Sequence, residues 1–207
     1  MPAESATTPD SAEWRSFMDD PADYARPGRL AACFDGAIGI AACADMLAAE
    51  RLRPRLTTLL LSHYDIPRSF PAGQVDEKDR RVALATREEL QDIVLRAGAI
   101  RWAGSFAGII MSADAAALNA VLGTDLSGFA MANRDLSGPV RPIEDLDGLP
   151  DRLTADGWRC LAAWCRAVPQ AVGARVRLRL EPEEMAVENP IGDFAEAGPI
   201  VIRRAVG

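Results

Sequence analysis

The run from Thr86 to Ile100 restricts the fold more than any other stretch. Thr86 followed by Glu89 has the spacing of a reciprocal N-terminal cap, and Leu90, Ile93, Val94, Ala97 and Ile100 then recur every three or four residues. That period is helical, and the stripe must be buried against other helices or a sheet. The same period runs from Pro27 to Ile66. Leu30, Cys33 and Phe34 share one face, Gly36 breaks the pattern, and Ile40, Cys43, Met46 and Leu47 resume it. A third helix in this region follows Pro54, with Leu56, Leu59 and Leu60 inward, and stops before Pro67.

Further on, Ser112 is placed to cap a helix carrying Leu118, Val121 and Leu122. Gly123 ends it, and Thr124 or Asp125 caps the next, with Phe129 inside. Thr154 is expected to start a helix with Trp158, Leu161, Trp164, Cys165 and Val168. After Gly173 the period changes to two, with Val176, Leu178 and Leu180 alternating with Arg175, Arg177 and Arg179. With Pro199 to Val206 as partner strand, this stretch is expected to form a small C-terminal β-hairpin. The predicted class is therefore mainly α: a single compact helical domain over residues 21–207, with internal loops about 67–76 and 135–151 where Pro and Gly accumulate. Residues 1–20 show no sustained period and are expected to be a flexible segment, although Trp14, Phe17 and Met18 suit a short docking element.

Composition narrows function. The chain has 207 residues, 49 % of them hydrophobic, enough for one sizeable core or two small ones. No apolar run approaches the roughly 20 residues of a membrane helix, and the first residues lack the basic start and apolar block of a secretory signal. Cys33, Cys43, Cys160 and Cys165 are irregularly spaced, as buried thiols in a reducing compartment would be. A cytoplasmic location follows. The net charge of −7 repels a phosphate backbone, so nucleic acid is not an expected partner.

Catalytic groupings do not assemble from the sequence. His63 is the only histidine, placed near a helix end where a favourable charge or simple packing accounts for it. Gly104-Ser105-Phe106-Ala107-Gly108 has its first glycine next to the serine, one position too close for a nucleophile elbow. The cysteines lack metal-ligand spacing, and Lys78, the only lysine, follows no glycine-rich loop. Acidic pairs such as Asp19-Asp20, Glu88-Glu89 and Glu183-Glu184 read as solvated or helix-capping groups. No catalytic residue, cofactor or metal is predicted. Arg175, Arg177 and Arg179 are the candidate partner-binding residues, because a strand puts all three on one side. A rival reading makes the chain a small ligand-binding protein or enzyme with an apolar pocket among Phe106, Met111, Trp158 and Trp164; another makes it a chaperone for one partner.

Two stretches carry a family resemblance. One is Pro21-Ala22-Asp23-Tyr24-Ala25-Arg26-Pro27-Gly28-Arg29-Leu30, continuing through Phe34-Asp35-Gly36 to Leu52-Arg53-Pro54-Arg55-Leu56. The other runs from Ile93-Val94-Leu95-Arg96-Ala97-Gly98 through Ala115-Ala116-Ala117-Leu118 to Val121-Leu122-Gly123-Thr124-Asp125-Leu126 and Phe129-Ala130. Together, over about residues 20–185, they resemble the SctK (YscK) family of type III secretion systems; Ala25 and Gly28 depart from its pattern, and the tail after Glu188 lies outside the likeness. The resemblance implies a non-enzymatic cytosolic adaptor of the sorting platform. It would be peripheral to the inner membrane through its partners: the inner-ring protein SctD, the pod proteins SctQ and SctL, and indirectly the ATPase SctN.

Overall fold

The structure is a computed structural model and describes residues 11–110, 115–182 and 192–207. Twelve α-helices make up most of the described residues, and none of these residues forms a strand. The described residues divide into two compact units where the sequence reading expects one domain. Residues up to Leu84 with those from Val168 to 182 form the first; those from Ala85 to Ala167 with 192–207 form the second.

In the first unit, α1 (Ala12–Asp19) is capped by Ser11, whose hydroxyl accepts from Trp14 N–H at 3.2 Å. It buries Trp14, Phe17 and Met18, and the Trp14 indole N–H donates to Phe70 O at 3.0 Å. Residues 11–20 are therefore ordered by the docking of three large apolar side chains, where a flexible segment is expected. Prolines open both α2 (Pro21–Tyr24) and α3 (Pro27–Ala32), each supplying the fixed φ of a first turn without wasting a donor. Asp35 and Gly36, both at positive φ, end the α3 region, and α4 (Ile40–Ala48) and α5 (Arg53–His63) follow. Leu30, Cys43, Leu56 and Leu60 meet in one core cluster, as their spacing predicts; Leu61 joins them, and Leu59, expected inward, is only partly buried against the cluster. Residues 67–76 are irregular apart from a single 3-10 turn at Ala72–Gln74, and α6 (Glu77–Leu84) comes next.

The expected hairpin is absent. Val176, Leu178 and Leu180, with Arg175, Arg177 and Arg179, lie on or at the end of α11 (Gln170–Leu178), in the first unit; Pro199 lies inside α12 (Phe194–Ala205), in the second. Alternation misleads here because α11 is buried almost all round, Arg175 included, so no polar face marks its helical period.

The second unit is built on α7 (Arg87–Ile110). Its start is the predicted reciprocal cap: Thr86 Oγ1 accepts from Glu89 N–H at 3.2 Å, and Glu89 accepts from Thr86 N–H at 2.7 Å. Packed with α7 are α8 (Ala115–Leu122), α9 (Thr124–Ala132), α10 (Leu149–Ala167) and α12. Helix α10 starts five residues before Thr154, because Pro150 suits its first turn. Gly98 on α7 faces the Leu153 carbonyl and Gly157 on α10 faces the Val94 carbonyl, so the two backbones touch where neither carries a side chain. Ser112, the expected cap of α8, lies outside the described residues, as do Met111 and Glu183–Glu184.

Candidate functional site

The buried polar groups are built into the fold. Asp156 on α10 is 2 % exposed and accepts from the Trp102 indole at 2.8 Å, from Arg141 at 2.5 Å and from Arg159 at 2.7 Å. Arg141 also lies over the Trp102 ring, 3.9 Å from its centroid. Ser105, in the middle of α7, accepts from Arg141 N–H at 2.8 Å, and Arg101 donates to Leu136 O at 3.1 Å while its own carbonyl accepts from Gly138 N–H at 2.8 Å. Arg101 is also paired with Asp193. This network fastens the irregular 133–148 connection to α7 and α10. Ser105 is thereby a structural hydroxyl, and the elbow-like sequence around it is an ordinary helix turn.

The other residues singled out by sequence fall into similar roles. His63 is the exposed last residue of α5, set edge-on to Tyr64 at 4.7 Å. Phe106 and Trp164 are fully buried core residues, and Trp158 is half-buried. All four cysteines are free thiols. Burial pushes the Cys160 thiol up to about 12, with Arg101 opposing, and the Cys33 thiol up to about 11, with neighbouring Cys43 adding to it. Both stay protonated near neutral pH, the unreactive form. Among the described residues, no group of three or more His, Cys, Asp or Glu converges as a metal site.

The arginine trio is dispersed by the helix. Arg175 is 0 % exposed. Its Nε and Nη2 both donate to Met18 O, and the other donors reach Pro67, Arg68 and Ala171 carbonyls, at 2.8–3.1 Å. It ties the end of α1 to the 67–76 connection and to α11. Burial pulls its proton affinity below the ordinary arginine value, while Tyr24 and Asp19 oppose that. Arg179, one turn on, lies over the Tyr24 ring at 4.6 Å and the Phe17 ring at 5.0 Å. Arg177 points away from both by helical geometry and is half-buried.

One concave surface stands out in the second unit. Asp92, Leu95 and Arg96 of α7 face Leu122, Gly123, Thr124, Asp125, Leu126 and Phe129 across a groove of about 510 Å³. Its shape comes from Gly123: φ of +79° lets the chain bend by 106° between α8 and α9. Leu95, Leu122 and Leu126 are half-buried, packed against the core below and open above, and Phe129 beside them is half-buried too. Arg96 pairs with Asp92 at 2.9 Å and lies 5.6 Å over the Phe129 ring. Sequence reasoning missed the groove because its two walls are some thirty residues apart, and each apolar residue fits a helical core stripe equally well.

These features define a helical protein whose buried polar groups serve architecture and whose open apolar surface suits contact with another macromolecule. The chain belongs to the family described as YOP proteins translocation protein K (YscK), whose model matches residues 15–200, and so to a family of type III secretion components. The match runs past both ends of the 20–185 resemblance and takes in most of α12. Among curated proteins, the chain is similar to a nodulation protein NolU of Sinorhizobium fredii (strain NBRC 101917 / NGR234), 29 % identical over 193 residues, 92 % of this chain and 87 % of that one. It is also similar to a nodulation protein NolU of Rhizobium fredii, 30 % identical over 164 residues, 79 % of this chain and 73 % of the other. No solved structure gives a significant match. Among the described residues, no single helix is long and apolar enough to cross a membrane.

Proposed function

We propose that this protein is a non-enzymatic, cytoplasmic adaptor of the type III secretion sorting platform, held at the inner membrane through protein partners. In this reading it links the inner-ring protein SctD to the pods of SctQ and SctL, and through them to the export ATPase SctN. The observation that carries it is the family match across residues 15–200, nearly the whole chain. Its physical character supports the reading: a bridge needs rigid helical units and open surface, and the polar groups that catalysis would recruit, Ser105, Asp156 and Arg175, are instead engaged in the fold. Arg177 and the half-exposed edge of Arg179 remain as the part of the arginine trio that a partner would meet.

Deleting the gene in its host tests this. The expected result is loss of type III export, restored by the wild-type chain in trans, with growth unaffected. Normal export in the deletion strain would overturn the adaptor role.

A further inference from the structure

We infer that the groove between α7 and the α8–α9 corner seats a basic amphipathic helix of a protein partner; this rests on the adaptor reading and names the chemistry of one of its contacts. The floor, Leu95, Leu122, Leu126 and Phe129, is apolar and open to solvent. A metabolite site would bring convergent polar groups into such a floor. Here the polar side chains of the lining are Asp92, Arg96, Thr124 and Asp125, and Arg96 is already committed to Asp92 and Phe129.

The rim sets the sign of the occupant. Asp92 and Asp125 stand against Arg96 alone, leaving an excess negative charge, and no described residue pairs with the exposed Asp125 carboxylate. The chain's net charge of −7 reinforces attraction for a basic segment. The secondary structure of the occupant follows from what the groove lacks. A strand needs a sheet edge to extend, and the described residues offer none; a polyproline segment needs several aromatic side chains, and this floor has one. An amphipathic helix needs only an apolar trough for side chains spaced three and four apart. Leucine-like anchors would rest on Leu122, Leu126 and Phe129, with a lysine or arginine beside Asp125.

The test uses the purified full chain, labelled with nitrogen-15, and two synthetic amphipathic helical peptides that share one leucine face and carry either lysines or glutamates on the other. In physiological salt, the lysine peptide is expected to shift the amides of Asp92–Arg96 and Leu122–Phe129 first and to bind at least about tenfold more tightly than the glutamate peptide. Asp125→Lys should remove most of that preference, and Asp125→Asn about half. Equal binding of the two peptides, shifts centred elsewhere, or an undiminished preference in Asp125→Lys would overturn the proposal. Recovery of secretion proteins from host lysate separates the two readings: if wild type and Asp125→Lys recover them equally, the groove proposal fails and the adaptor stands, whereas no recovery by wild type sinks the adaptor itself.

Discussion

Gly98→Ala is expected to destabilise the second unit by about 3 kcal/mol or more, lowering its thermal midpoint by about 10 °C or more. A Cβ on Gly98 would sit 1.9 Å from the Leu153 carbonyl oxygen and 2.5 Å from its carbon, both backbone atoms that no rotamer change moves. Gly157→Ala meets the same obstacle on the facing helix, 1.9 Å from Val94 O. Helices α7 and α10 would have to separate by about 1 Å, opening voids around fully buried Val94, Leu153 and Leu161. Gly108→Ala is the internal control. It lies on α7 too, but it is exposed and a Cβ there has nothing within 4 Å, so alanine should stabilise by roughly 0.5–1 kcal/mol through helix propensity. Thermal melts of the three variants check both signs; Gly98→Ala melting at or above Gly108→Ala would contradict the packing described for α7 and α10.

Arg175→Met is expected to cost the first unit about 3 kcal/mol or more. All five N–H donors of the guanidinium are used, on the carbonyls of Met18, Pro67, Arg68 and Ala171. Methionine fills much of the volume but leaves those oxygens without their partner, and an unsatisfied buried acceptor costs far more than a made bond contributes. Lysine keeps the charge yet cannot spread donors over the same fan of acceptors, so Arg175→Lys should fail as well. Arg177→Met, two residues away and half-buried, should change stability by no more than about 0.5 kcal/mol. Urea denaturation of the three variants measures the contrast; equal midpoints for Arg175→Met and Arg177→Met would remove Arg175 from its structural role.

Arg175 also marks where the sequence stops being legible. Helical stripes that face one core could be read directly: Thr86 and Glu89 announce α7, Gly36 and Gly123 break their helices, and Pro54 opens α5. Reading failed where a charged residue points inward. Arg175, Arg177 and Arg179 alternate with Val176, Leu178 and Leu180, which imitates a strand, because the carbonyl acceptors that satisfy Arg175 come from Met18 and from residues 67–68, remote in sequence. Pro199 misled for a related reason. A proline inside a helix opposes local preference, yet Gly198 and Pro199 are buried, and Gly198 lies close against Cys160 and Ala163 of α10, so tertiary packing keeps α12 helical. Function was legible only as family likeness, since the groove joins residues 92–96 to 122–129 and no local pattern announces that meeting.

Affinity purification of the tagged full chain from its native host under mild lysis, with bound proteins identified by mass spectrometry, asks directly whether the protein is an adaptor. Enrichment of SctQ, SctL, SctD or SctN over an untagged control is the predicted result. Recovery of the chain with none of them, from a lysate in which all are present, would contradict the adaptor role.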